Sequence, residues 1–313
     1  MVLLIQYTIL FASVLCLVAL GGCFSEHSGV INLGLEGIMV MGALGGAVTM
    51  KMLPAGSSAV TIILVTTLMA IIVGVLYSTL LAVASINFKA DQTLIGTAMN
   101  LLATAGATVF VRAMNAAENP DNVSTTIQYI QPKKAFLKYI GGFEFNWFML
   151  MAIICLVAAY IILYKTKFGL RLMACGENPQ AADSVGINVY KMRWAGVLIS
   201  GFLGGLGGIV YITAGVSEWK FDMGVAGFGF LSLAVMIFGQ WKPQRIALAA
   251  VLFGFFRALS NVYTGFDFLA AMNIPSTVYN MMPYIISLII LAFTSNNSKA
   301  PKAEGIPYDK GSR

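Results

Sequence analysis

Glu36 makes the clearest chemical demand in the sequence. It lies in the apolar run Val30–Met50, and an ionisable side chain at membrane depth is costly unless it faces a cavity or a partner. If that run is helical throughout, Asn32 and Glu36 stand four residues apart on one face. Gly29, Gly34 and Gly37 loosen the same segment. Such a helix can line a substrate path, or its polar groups can staple it to a neighbouring helix by hydrogen bonds. Spacing leaves both readings open. Asn100, in the apolar run Thr93–Val111, is a second candidate with the same two readings. Arg257, inside Ile246–Val262, either pairs with an acid or reaches along its helix towards the interface.

The second constellation is the polar stretch Lys165–Arg193, KTKFGLRLMACGENPQAADSVGINVYKMR. Its centre reads as one short helix. Asn178 is a good N-cap, Pro179 fits the first helical position and Gly186 is a good stop. The helix between them spans about two turns, roughly 11–12 Å. Ala181, Ala182 and Val185 give it a small apolar face that another protein could approach closely. Five Lys and Arg residues flank the piece, which argues for the cytoplasmic side. The piece is either a plain connector or a rigid contact with a moving partner.

Other chemistry is excluded or unsupported. His27 is the only histidine, so a multi-histidine metal site is ruled out. Cys16, Cys23, Cys155 and Cys175 lack zinc-ligand spacing and suggest no disulfide framework. No GxxxxGK[ST] loop appears, so the chain itself is not expected to hydrolyse ATP. No acid–base cluster points to a membrane enzyme, and no cofactor is implied.

The elements that must position these residues follow from composition. The 313-residue chain is 58% hydrophobic and 10% charged, with mean hydropathy +0.83. Only a polytopic membrane protein fits, an all-α bundle. The net charge of +6 is read by location, with nucleic acid excluded as a partner and lipid expected as one. About nine spans are expected: Val2–Leu20, Val30–Met50, Ala59–Val83, Thr93–Val111, Trp147–Tyr164, Trp194–Ala214, Gly224–Phe238, Ile246–Val262 and Met281–Thr294. Gly21–Gly29 reads as a break after the first span. Leu20-Gly21-Gly22-Cys23 resembles a lipoprotein cleavage box, but without a basic leader the run reads as a spanning helix. Gly201, Gly204, Gly205 and Gly208 form two overlapping GxxxG pairs, which suits close packing in the bundle interior. With Lys165–Arg193 inside, alternation places twelve of the 19 basic residues inside. The N-terminus is then outside and the C-terminus inside. Residues 1–294 form one membrane domain and 295–313 a cytoplasmic polar tail that is expected to fray.

Two stretches carry a family likeness. Phe24–Gly37, FSEHSGVINLGLEG, and Ala174–Asn188, ACGENPQAADSVGIN, both resemble permease subunits of bacterial ABC importers. The branch is the one with ribose-type, branched-chain amino acid and nucleoside permeases. Both motifs look most like nucleoside or simple-sugar permeases, and Thr93–Leu102 is also similar. His27 departs from the arginine common in the nucleoside branch. The resemblance implies an inner-membrane importer subunit with three partners: a separate ATP-binding subunit, a second related permease and an extracytoplasmic substrate-binding lipoprotein. It implies that Lys165–Arg193 holds the coupling helix, with Gly176, Glu177, Asn178, Pro179, Ala181, Ala182, Asp183 and Gly186 meeting the ATPase. It places Asn32, Glu36 and Asn100 in the permease core, and these three are the candidate substrate-path residues. A secondary transporter is the competing class, with Glu36 as its one strong coupling acid.

Overall fold

Long apolar runs with few internal breakers fold as helices, because a helix satisfies its own backbone where water is absent. The computed structural model describes all residues except 1, 55, 130–133, 214–217, 267–274, 295–299 and 312–313. Eight helical segments among the described residues are long and apolar enough to cross a membrane. They are α1 (Val2–His27), α2 (Leu35–Met52), α3 (Ala59–Ala82, continued by a π-turn to Asn87), α4 (Gln92–Glu118), α5 (Trp147–Lys165), α8 (Val189–Thr213), α9 (Phe228–Phe238, with the 3₁₀ turn and loop from Phe221) and α10 (Pro243–Val262). A further helix, α11 (Ser276–Thr294), covers the last expected span. The stretch between α5 and α8 holds α6 (Lys167–Glu177) and α7 (Pro179–Ser184). The described residues also hold four short strands: β1 (Thr126–Gln128) pairs antiparallel with β4 (Glu218–Lys220), and β2 (Leu137–Ile140) with β3 (Phe143–Asn146). The expected loops Gly215–Asp222 and Tyr263–Thr277 lie partly outside the described residues, as does the tail segment 295–299.

α1, α2 and α8 form the buried centre, and α3, α9 and α10 pack around them. The GxxxG pairs of α8 are what let these backbones meet. A Cβ on Gly208 would sit 2.1 Å from the Met39 carbonyl oxygen of α2, and one on Gly205 2.5 Å from that of Ala70 on α3. α3 and α5 instead expose large apolar side chains such as Leu64, Leu68, Ile153 and Val157. That is the composition of a lipid-facing surface.

Two expected boundaries are corrected. α1 does not break at Gly21; it continues to His27. Its polar residues there find partners: Ser25 Oγ donates to the Val30 carbonyl at 2.7 Å, and Glu26 Oε2 accepts from Trp241 Nε1 at 2.5 Å. Satisfied polar groups give the helix no reason to stop. The second helix starts at Leu35 rather than Val30. Gly29 turns the chain with φ +92°, and residues 30–34 run non-helically.

The tail is the third correction. Residues 300–311 do not fray; Ala303 and Tyr308 are buried and the segment lies against α6, α7 and α8. Tyr308 supplies an apolar ring that composition counted among polar neighbours.

The two ends of the bundle are distinct. One end gathers the His27 end of α1, α6, α7, the Trp241 turn, Lys89 and the tail. The other gathers both strand pairs, the Lys51–Glu118 ion pair at 2.8 Å and the bond from Gln6 to Glu144. The charge distribution leads to the expectation that the first of these ends is cytoplasmic. A cysteine at Lys167 or Lys302 is expected to react with an impermeant thiol reagent only after the membrane is opened, and one at Asp121 without opening. The reverse labelling would invert the orientation.

Candidate functional site

α2 begins inside the bundle, so its first amides have no helical acceptors. Asn32 and Asn100 supply them. Asn32 Oδ1 accepts from the Gly34 amide at 3.1 Å, and Asn100 Oδ1 from the Gly37 amide at 2.8 Å. Their own amide groups donate elsewhere: Asn32 Nδ2 to Ser200 Oγ and Asn100 Nδ2 to the Leu33 carbonyl, both at 2.8 Å. Both side chains are buried. Asn32 therefore does not share a helical face with Glu36; it lies before the helix, where Gly29 has already turned the chain.

Glu36 reaches a second interrupted helix. α9 starts at Phe228 after Gly224 and Gly227, both at positive φ. The Glu36 carboxylate accepts from the Gly227 amide at 2.9 Å and the Gly229 amide at 2.6 Å. An acid at a helix N-terminus offsets the positive end of the dipole, and charge-assisted bonds are the strong kind. Gly229 permits the approach, since a Cβ there would lie 2.4 Å from the Glu36 nitrogen. The three polar residues are thus gathered around the first turn of α2, and each is satisfied by the protein itself. These hydrogen bonds join the start of α2 to α4, α8 and α9.

Among the described residues Arg257 has no acidic partner within ion-pair distance. Its guanidinium lies over the Phe228 ring, 5.3 Å from the centroid, and its buried Nε has no hydrogen-bond partner. The sequence reading missed Ser200 and the Gly227–Gly229 amides as partners. The spacing of Gly224, Gly227 and Gly229 was the available signal for a turn inside that apolar run.

A crevice of about 410 Å³ opens between α1, α3, α5 and α8, lined by residues including Phe24, Val75, Ile162 and Phe202. Its lining carries no polar side chain beyond the Cys155 thiol. It suits a hydrocarbon chain and lacks the few placed polar groups that a polar ligand needs.

At the end holding α7, the capping expectation is met in detail. Asn178 Oδ1 accepts from the Ala181 amide at 3.0 Å, Pro179 is the first helical residue, and Gly186 leaves with φ +84°. The expected face is corrected. Ala182 is buried against Cys175, Val189 and Tyr308, and Pro179 is buried too. Ala181 and Val185 are exposed, Val185 at 75%. Successive helical residues point about 100° apart, and the tail covers the Ala182 side. Gly176 is also internal: a Cβ there would be 2.4 Å from the His27 carbonyl. Glu177, Asn178 and Gly186 are exposed, while Asp183 is half-buried and pairs with Lys310 at 3.6 Å. Burial pushes the Cys175 thiol up to about 11, with Arg193 opposing, so it stays a neutral packing group.

Three relatives resemble this architecture's sequence along most of its length. The nucleoside ABC transporter permease protein NupC of Lactococcus lactis is 39% identical over 312 residues, covering 98% of this chain and 97% of that protein. The guanosine ABC transporter permease protein NupQ of Bacillus subtilis is 38% identical over 316 residues, covering 99% and 98%. The putative glucose ABC transporter permease protein TsgC13 of Haloferax volcanii is 31% identical over 262 residues, covering 82% and 76%. The family model for the permease component of branched-chain amino acid transport systems matches residues 4–293. Eight apolar helices, two of them starting within the bundle, and a match across nearly the whole chain agree: this protein belongs to that family of transport permeases.

Proposed function

We propose that this chain is the membrane permease subunit of an ABC importer that carries nucleosides across the bacterial cytoplasmic membrane. The observation that carries this reading is the near-full-length likeness to both the nucleoside and the guanosine permease. ATP hydrolysis belongs to a separate subunit, since the sequence has no phosphate loop. α7 is the contact with that subunit: it is capped by Asn178, and Ala181 and the C-cap residue Val185 are exposed. The crevice described above is apolar, whereas a nucleoside offers hydroxyls and base edges. The path runs between this chain and a second, related permease, and an extracytoplasmic binding lipoprotein delivers the substrate. The N-terminus faces outward and the tail inward, following the basic residues.

The test is uptake of labelled guanosine into proteoliposomes holding this chain with its partner permease, ATPase and binding protein. Uptake should need ATP on the ATPase side. Unlabelled adenosine and uridine should compete, while glucose and leucine should not. Competition by glucose alone would replace this reading with the sugar one, which the Haloferax relative favours. Uptake without ATP would point to a secondary transporter.

A further inference from the structure

α7 is too short to hold a direction by itself. Isolated helices below about 12–15 residues are marginal in water, and this one has six. A rigid contact needs outside support, and the tail supplies it at several points. The Ala303 amide donates to the Gly176 carbonyl at 2.8 Å, at the end of α6. The Gly305 amide donates to the Gly29 carbonyl at 3.3 Å, in the turn after α1. Arg193 Nη1, in the first turns of α8, donates to the Ile306 carbonyl at 2.9 Å. The Tyr308 ring is buried against Cys175, Ala182 and Val189 and meets the Tyr190 ring edge-on at 5.3 Å. Lys89 pairs with Asp309 at 3.1 Å, and Lys310 with Asp183 on α7 at 3.6 Å.

The exposed ion pairs contribute little; the backbone bonds and buried groups matter more. Arg193 is 1% exposed, and its Nε and Nη2 have no partner. Among the described residues, the hydrogen bond of that buried cation is the one to the tail carbonyl. Removing one partner of a buried charge is strongly destabilising, so docking of the tail and burial of Arg193 depend on each other. Two glycines make the route possible. A Cβ on Gly29 would sit 2.8 Å from Arg193 Nη2, and Gly305 turns against Ile31 with φ +77°. The anchors are spread over several elements, so the tail ties α7 to the turn after α1, to α6 and α8, and to the turn before α4.

We propose that Pro301–Lys310 is a positioning strap for energy coupling: it fixes the direction of α7 so that motion of the ATPase reaches α1 and α8 rather than bending the loop. This rests on the reading of α7 as the ATPase contact. Tyr308 and the Ala303 amide are its positioning groups.

The test uses the assembled transporter in proteoliposomes and reads guanosine uptake per ATP hydrolysed, together with retention of the ATPase on purification. Tyr308→Ala removes the ring, and Ala303→Pro removes the amide donor, so either decides if the other fails to fold. The uptake-to-hydrolysis ratio should fall about fivefold or more, the low end of coupling between distant sites, with the ATPase still bound. Tyr308→Phe, which keeps the ring, should lower the ratio less than Tyr308→Ala. A merely structural role would lower uptake and hydrolysis in proportion, and an unchanged ratio in the folded variants overturns the strap. Val185→Asp separates this failure from that of the underlying reading. It alters only the exposed C-cap residue of α7 and should release the ATPase; if it is silent, the ATPase contact and the strap fall together. If it disrupts while both tail variants are silent, the strap alone falls.

Discussion

Glu36→Ala is expected to abolish uptake and to lower thermal stability in the same protein. The substitution removes both acceptors from the Gly227 and Gly229 amides at the start of α9. Each buried donor left unpaired costs about 1–3 kcal/mol, a sizeable share of an ordinary stability of about 5–15 kcal/mol. The link from the first turn of α2 to the first turn of α9 goes with them. Glu36→Gln should be milder. One amide oxygen can still accept from one backbone N–H, but the NH₂ group then faces the other donor. Stability and uptake should fall in the order wild type, Gln, Ala, measured by thermal unfolding in detergent alongside uptake in proteoliposomes. A residue that lined the substrate path without supporting the fold would behave otherwise: uptake would fall in both variants at unchanged melting temperature. That outcome would place Glu36 on the path.

The second large effect is expected at Gly208→Val. A Cβ at this position would lie 2.1 Å from the Met39 carbonyl oxygen and 2.9 Å from the Ala43 nitrogen. These are backbone atoms of α2, and no side-chain rotation relieves the contact. α2 and α8 would have to separate along the seam where Gly42 also meets Gly205, with 2.5 Å from its would-be Cβ to the Gly205 Cα. Overpacking costs typically about 1–3 kcal/mol and sometimes more, and here the dispersion contacts that hold helices together in lipid are lost too. The variant should give little monodisperse protein in detergent and no uptake. Gly106→Ala is the matched control. Gly106 sits on the exposed side of α4, and a Cβ there meets nothing within 4 Å. It should express and transport normally. Wild-type behaviour of Gly208→Val would mean that α2 and α8 are not packed as described.

The sequence by itself determined whatever depends on a residue and its near neighbours. Hydropathy located the spans, because lipid demands a long unbroken apolar run. The α7 boundaries were legible because a cap is a contact over three residues: Asn178 to the Ala181 amide, Pro179 inside, Gly186 at positive φ. The glycines of α8 announced close packing, because only a small residue lets two backbones meet. What only the tertiary structure decided are the partners far along the chain. Glu36 is answered by amides 191 and 193 residues away, and Asn32 by Ser200, 168 residues away. Without them, Val30–Gly34 looks as helical as the residues that follow. Glu26 likewise meets Trp241 across 215 residues, so a polar run that looked like a break stayed helix. Ala182 and the tail were misread for one reason. A small apolar face and a tyrosine in a polar tail each look exposed until the fold lays one on the other, and burial is a property of the pair.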